Sequence, residues 1–148
     1  EGAEEILTRE IGRNELAAIE ALHAYVDAQQ SYFAMNQTYA QKIVSSEGKK
    51  DGLYWPASPG EAPSPLGPAF SPKEPGTGYH GYRFRILPES NGFAMVAWPV
   101  SYGQTGVMSF VINQDDKVYQ ADLGSDSAQK AQAITSYNPD KTWQPVGP

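Results

Sequence analysis

The sequence predicts an α+β fold: an N-terminal amphipathic helix packed on an antiparallel sheet of about four strands, with a long Pro/Gly-rich strap between them and a short C-terminal helix. Two observations carry this. Apolar and alanine residues recur at helical spacing in the first 37 residues, and from Tyr82 onward the period changes to two. The length of 148 residues fits one domain, residues 1–148, large enough to bury a core without a metal or disulfide staple.

The helical region is assigned to residues 1–37. Leu16, Ile19, Leu22, Val26, Gln30 and Phe33 fall at helical intervals, and Ala17, Ala18, Ala21, Ala24 and Ala28 raise helix propensity. Asn14 suits an N-cap of an inner segment. Ile6, Leu7 and Ile11 extend the same period, with Gly12 weakening the junction by roughly 1 kcal/mol relative to Ala, so one long helix or two shorter ones both fit. An apolar face of this kind must lie on something, and the sheet that follows is the available partner.

Residues 48–81 carry seven of the 12 prolines and seven of the 14 glycines, a density at which neither helix nor strand persists. A connection of this length is either a functional loop or a strap held by its own large apolar side chains. Leu53, Tyr54, Trp55, Leu66 and Phe70 favour the strap.

The meander is assigned to residues 82–123. Tyr82, Phe84 and Ile86 alternate with Arg83 and Arg85, which predicts a strand with one dry and one wet face. Residues 93–99 are apolar on both faces, as in a central strand ended by Pro99. Residues 107–112 and 117–121 flank Asn113, Gln114, Asp115 and Asp116, whose composition suits a hairpin turn. Ser125 or Asp126 then caps a short helix over residues 125–138, carrying Ala128, Ala131, Ile134 and Tyr137 and stopped by Pro139.

Composition narrows the function classes. The net charge is -6 and the Lys and Arg are scattered, so no nucleic-acid partner is expected, because phosphate binding needs clustered cations. With no cysteine there is no disulfide framework, thiolate metal site or thiol nucleophile. No run approaches the roughly 18 apolar residues of a membrane span, and no signal-like segment opens the chain at Glu1. No membrane span is therefore expected in this chain, which reads as a soluble, trimmed or mature form.

The chain-wide pattern carries a resemblance. A helix such as AAIEALHAYVDAQQSYF followed by GYRFRI, GFAMVAWPV and SFVINQDDKVYQAD is similar to the globular part of type IV pilins and type II secretion pseudopilins. GRNELAAIEALHAYVDAQ, KKDGLYWPASPGEAPSPLGP, YHGYRFRIL, GFAMVAWPVSYGQTGVMSFVINQDDKVYQADLG and YNPDKTWQPV resemble, over nearly the whole chain, an uncharacterised bacterial family of exported proteins, the domain-of-unknown-function family numbered twenty-nine fifty. That resemblance implies a periplasmic or otherwise extracytoplasmic protein whose precursor has a signal peptide. Two departures accompany it. Glu4, Glu5, Arg9, Glu10 and Arg13 occupy the region where a filament-forming pilin helix is hydrophobic. The chain is also short of the family pattern near Gln37 and Thr38 and near Glu89 and Asn91, through deletion or omission of residues from this numbering.

No motif commits the chain to a reaction, and no catalytic residue is assigned. Asn113, Asp115 and Asp116 start like a calcium loop, but Lys117 takes the third alternating position and no suitably spaced Gly or Glu follows, so the hairpin turn is preferred. His23 and His80 lack a ligand at zinc spacing, and no metal or cofactor is expected. Ser101 and Ser109 lack a nucleophile elbow, and no pair of carboxylates stands out. The aromatic residues are the remaining feature. Tyr54, Trp55, Tyr79, His80 and Trp98 are the candidate ligand-binding residues, as a surface that stacks on a sugar ring or anchors a protein; the competing reading buries Trp55 and Trp98 between strap and sheet.

Three readings follow in order. The first is a non-catalytic interaction or scaffolding domain of the bacterial cell envelope with a protein partner. The second is a small-ligand or glycan-binding module using the aromatic-lined surface around Tyr54, Trp55 and His80. An enzyme comes third, since its residues show no local signature.

Overall fold

A computed structural model of the chain describes residues 2–67 and 78–146; the centre of the strap, with Phe70, lies outside the described residues. One continuous helix, α1 (Ala3–Asn36), leads into the strap. The sheet follows as β1 (Tyr82–Leu87), β2 (Ala94–Pro99), β3 (Ser109–Asn113) and β4 (Tyr119–Ala121), then the short helix α2 (Ser127–Gln132) and a two-residue strand β5 (Gln144–Pro145). The strands lie in the order β1-β2-β3-β4-β5, every pair antiparallel. This is an α+β meander with one strand more than expected. β5 escaped the sequence reading because two residues carry no periodicity.

Helix α1 is single, and Asn14 is no cap. Its side-chain amide reaches out of the helix to donate to the Thr105 carbonyl (3.0 Å). The buried stripe also differs from the predicted one. Ala18, Ala21, Leu22, Tyr25, Val26, Ala28, Gln29 and Tyr32 face the protein, whereas Leu16 and Phe33 are 57% and 41% exposed and Gln30 is exposed. The physical reason is packing distance. Ala18, Ala21 and Ala28 let the helix approach closely, and Tyr25 and Gln29 find partners for their polar ends. The helix ends at Gln37 in the left-handed conformation (φ 58°), with its N–H on the Phe33 carbonyl.

The strap behaves as its apolar residues require. Leu53 and Leu66 are buried in the core beneath α1, joined by a bond from the Leu66 N–H to the Leu53 carbonyl (2.9 Å). Asp51 accepts from the Ser46 N–H, the Ser46 hydroxyl and the Lys42 ammonium, which closes the loop before it.

The expected wet face of β1 is not wet. The sheet is covered on both sides: Tyr82, Phe84, Ile86, Met95, Ala97, Phe110 and Ile112 pack under α1, while Leu87, Ala94, Val96, Trp98 and Val111 pack under α2 and the C-terminal segment. Arg85 can stand there because its guanidinium Nη2 donates to the carbonyls of Ala131 (3.0 Å), Gln132 (3.2 Å) and Ile134 (2.6 Å). These are carbonyls at the C-terminal end of α2, where a cation is favoured. The short helix is accordingly shorter than residues 125–138 and is fixed from outside. Neither Ser125 nor Asp126 supplies a side-chain cap; a single turn of 3₁₀ helix (Gly124–Asp126) precedes α2, and the Ser127 hydroxyl donates to the Gly124 carbonyl.

Two glycines should respond oppositely to alanine. A methyl group at Gly106 would overlap the phenol of Tyr82, which is fully buried and held by its hydroxyl on the Met108 carbonyl, so Gly106→Ala is expected to cost about 1–3 kcal/mol. Gly12 sits in helical conformation with open space around it, so Gly12→Ala is expected to strengthen α1 by about 0.5–1 kcal/mol. Thermal denaturation for the first and amide exchange along α1 for the second check these signs; destabilisation by Gly12→Ala would contradict the helix assignment there.

Candidate functional site

The five candidate residues do not form one surface. Trp98 is 5% exposed on the α2 face of the sheet, while Tyr54 is half-buried against the core on the α1 face. Trp55 is 7% exposed, with the Lys50 ammonium 5.5 Å from its ring centre and itself paired with Glu61 (3.0 Å). Only Tyr79 and His80 are brought together, their rings 4.4 Å apart and edge to face.

That pair has a local structural cause. The Tyr79 and Tyr82 backbones exchange both hydrogen bonds (2.8 and 3.0 Å), and the two residues between them, His80 and Gly81, have φ of 49° and 78°. Positive φ at both central positions is the signature of the tight hairpin turn whose twist suits antiparallel strands. His80 is therefore the exposed tip of a turn leading into β1, and histidine is among the residues that tolerate this conformation. Gly81 is required on a second ground, since an added Cβ would lie 2.8 Å from the Thr105 side chain.

The polar groups singled out in the sequence serve as clasps. Asn113 Oδ1 accepts from the Asp115 N–H (3.0 Å) inside the predicted hairpin turn, and Asp116 Oδ1 lies 2.7 Å from His23 Nδ1, tying the β3–β4 turn to α1. Glu15 accepts from the amides of Val107 and Met108 (3.1 and 2.9 Å). Among the described residues no group of three or more His, Cys, Asp or Glu side chains is placed to hold a metal ion.

A concave site does exist where the sequence analysis placed none. On the α2 face, the segment between α2 and β5 leaves an open cleft of about 280 Å³, floored by Val111 and Ile134 and rimmed by Thr135, Asn138, Asp140 and Trp143. Both ends of this segment are pinned. Arg85 holds the α2 end, Glu89 accepts from the Tyr137 N–H (3.1 Å), and Asp140 makes a turn by accepting from the Thr142 and Trp143 amides (2.8 and 3.1 Å). The only sequence signal was the polar, proline-bearing run SYNPDKTW, which reads equally as a helix stop. The convergence with Val111 is tertiary.

Among the described residues four phenols are held above the ordinary tyrosine range, Tyr102 of them by its hydrogen bond to the Asp122 carboxylate. Burial pushes Tyr25 and Tyr82 far above the ordinary tyrosine range, and Glu15 adds to the effect at Tyr82. Tyr137 is pushed up to about 12, by burial first and then by Tyr119 and Asp115.

The chain belongs to the family described as Protein of unknown function (DUF2950), whose family model matches residues 1–146. No curated protein matches it.

The raised phenols couple the stability of the fold to alkaline pH. A raised folded-state pKa means that the native state holds its protons more tightly than the unfolded chain, so this stabilisation is complete below the unfolded value near 10 and is lost as pH rises through the folded values. Stability is expected to fall from about pH 10 upward, with phenolate absorbance appearing together with unfolding. Full phenolate titration before any loss of structure would show that these hydroxyls are not held as described.

Proposed function

We propose that the chain is a non-catalytic interaction or scaffolding domain of the bacterial cell envelope, located outside the cytoplasm. The observation that carries the interaction reading is the N-terminal end of α1, which is mostly exposed among the described residues. At about 1.5 Å per residue, residues 3–13 form a rod of roughly 16 Å. The contacts of α1 with the loop before β3 begin at Asn14 and Glu15. Within the rod only Leu7 and Ile11 are half-buried; the rest is exposed, and Gly12 faces open space. Leu7 and Ile11 continue the line of Ala18, Tyr25 and Tyr32 along the helix, so the apolar stripe that packs on the sheet runs on toward the N-terminus of α1. An apolar stripe presented this way is suited to a partner helix or groove.

The extracytoplasmic assignment rests on the resemblance to exported proteins. The helix-on-meander order supports a pseudopilin-like relationship, while Glu4, Glu5, Arg9, Glu10 and Arg13 argue for a subunit that docks through a charged amphipathic helix instead of assembling a filament through a hydrophobic one. Among the described residues no helix is long and apolar enough to cross a membrane.

A photo-crosslinking residue at Leu7, with one at the exposed Glu20 as control, tests the reading in the producing cell. One discrete protein adduct from position 7, absent from position 20 and abolished by Ile11→Ala, is expected in an extracytoplasmic fraction. Leu7→Ala and Ile11→Ala should change the stability of the domain by less than about 1 kcal/mol, because these side chains lie outside the core. Retention of the natural precursor in the cytoplasm, or equal crosslinking from both positions, would sink the proposal.

A further inference from the structure

The cleft on the α2 face is a second surface, and its chemistry selects a ligand independently of the docking helix. We propose that it binds a neutral, hydroxyl-rich ring: a single sugar residue, free or within an oligosaccharide. Size comes first. At about 280 Å³ the cleft lies just below the usual range of about 300–1,000 Å³ for small-molecule pockets, so it takes one ring and not a dinucleotide or an acyl chain.

Charge comes second. Among the described residues no lysine, arginine or histidine lines the cleft, Asp140 does, and the chain carries a net charge of -6. Phosphates and carboxylates are therefore disfavoured.

The third argument is the pairing of surfaces. Trp143 offers an indole beside the apolar floor of Val111 and Ile134, which suits the C–H face of a pyranose. Thr135, Asn138 and Asp140 supply a hydroxyl, an amide and a carboxylate, which together accept from and donate to several hydroxyls. A primary amine would use the carboxylate and leave the neutral groups unmatched. The site is also preorganised. Arg85, Glu89 and the Asp140 turn fix the segment that carries these residues, so little ordering remains to be done on binding.

The test is a heteronuclear NMR titration of the folded chain with glucose, galactose, N-acetylglucosamine and their disaccharides, beside Nα-acetyl-lysine and inorganic phosphate. The expected result is saturable shifts for at least one neutral sugar, confined to Val111 and residues 133–143. Trp143→Ala should weaken binding at least about tenfold. Because Trp143 also packs against the core on the α2 face, Asn138→Ala, at an exposed position, provides a second reading: it should weaken binding several-fold while the spectrum stays native. The proposal is overturned by no saturable shift at concentrations about ten times a millimolar dissociation constant, by saturation with the amine or phosphate but no sugar, or by sugar-induced shifts centred on Trp55.

Discussion

The position of α1, on which the remaining packing depends, is set by one buried carboxamide. Gln29 is fully buried, and its side chain pairs with the peptide group of Ala40 as another backbone would: its Nε2 donates to the Ala40 carbonyl (2.9 Å) and its Oε1 accepts from the Ala40 N–H (2.8 Å). Nε2 also donates to the Tyr25 hydroxyl (3.1 Å), which donates to the Ala94 carbonyl of β2 (3.2 Å). Helix, strap and sheet therefore meet in a single chain of hydrogen bonds. A buried polar group left unmatched costs about 1–3 kcal/mol, so any displacement of the helix that breaks one link exposes the others to that cost. At the other end Asn14 and Glu15 grip the loop before β3. The apolar contacts between these two points supply the driving force, and the polar contacts select the register.

The second constraint works from the opposite side of the sheet. A strand written Tyr-Arg-Phe-Arg-Ile reads as half-wet, but β1 has no wet face at Arg85, because that arginine supplies what α2 lacks. A six-residue helix is too short to stand alone. Guanidinium contacts to its last carbonyls hold it on the sheet, and the cleft beside it exists because the chain leaves α2 at a fixed point and must travel back to pair with β4 through β5. Function on this face, if it lies in the cleft, thus rests on a residue two strands away from the floor at Val111.

How much of this could be read from the sequence depends on the range of the interaction. The helix, the existence of β1, the apolar run of β2 and the Asn113–Asp116 turn are local patterns, and each is found where the residues placed it, although β1 lacks the wet face its alternation predicted. The buried stripe of α1 was misjudged because large aliphatic residues were weighted above alanine. The helix turns Ala18, Ala21 and Ala28 inward, together with Tyr25 and Gln29, whose polar ends are matched by groups distant in the chain. Arg85 was misjudged for the same reason, its partners lying 46 to 49 residues away. Trp55 and Trp98 were open to two readings, a ligand platform or core filling between strap and sheet, and both are buried. Trp143, in a segment with no periodic signal, is the aromatic residue that reaches a cleft.

These placements bear on what kind of protein the chain is. Several of its carboxylates hold loops to the frame: Glu15 on the 107–108 amides, Glu89 on Tyr137, Asp116 beside His23, and Asp122 on the Tyr102 hydroxyl. Recognition requires shape and polar groups held on a rigid support. The exposed N-terminal end of α1 and the cleft beside α2 lie on opposite layers of the sheet and share no residue, so occupation of one would not obstruct the other. The buried Gln29 and the clamped Arg85 keep the separation between those two surfaces fixed, which is what the two proposals, a protein at one and a sugar at the other, would require of a domain that joins them.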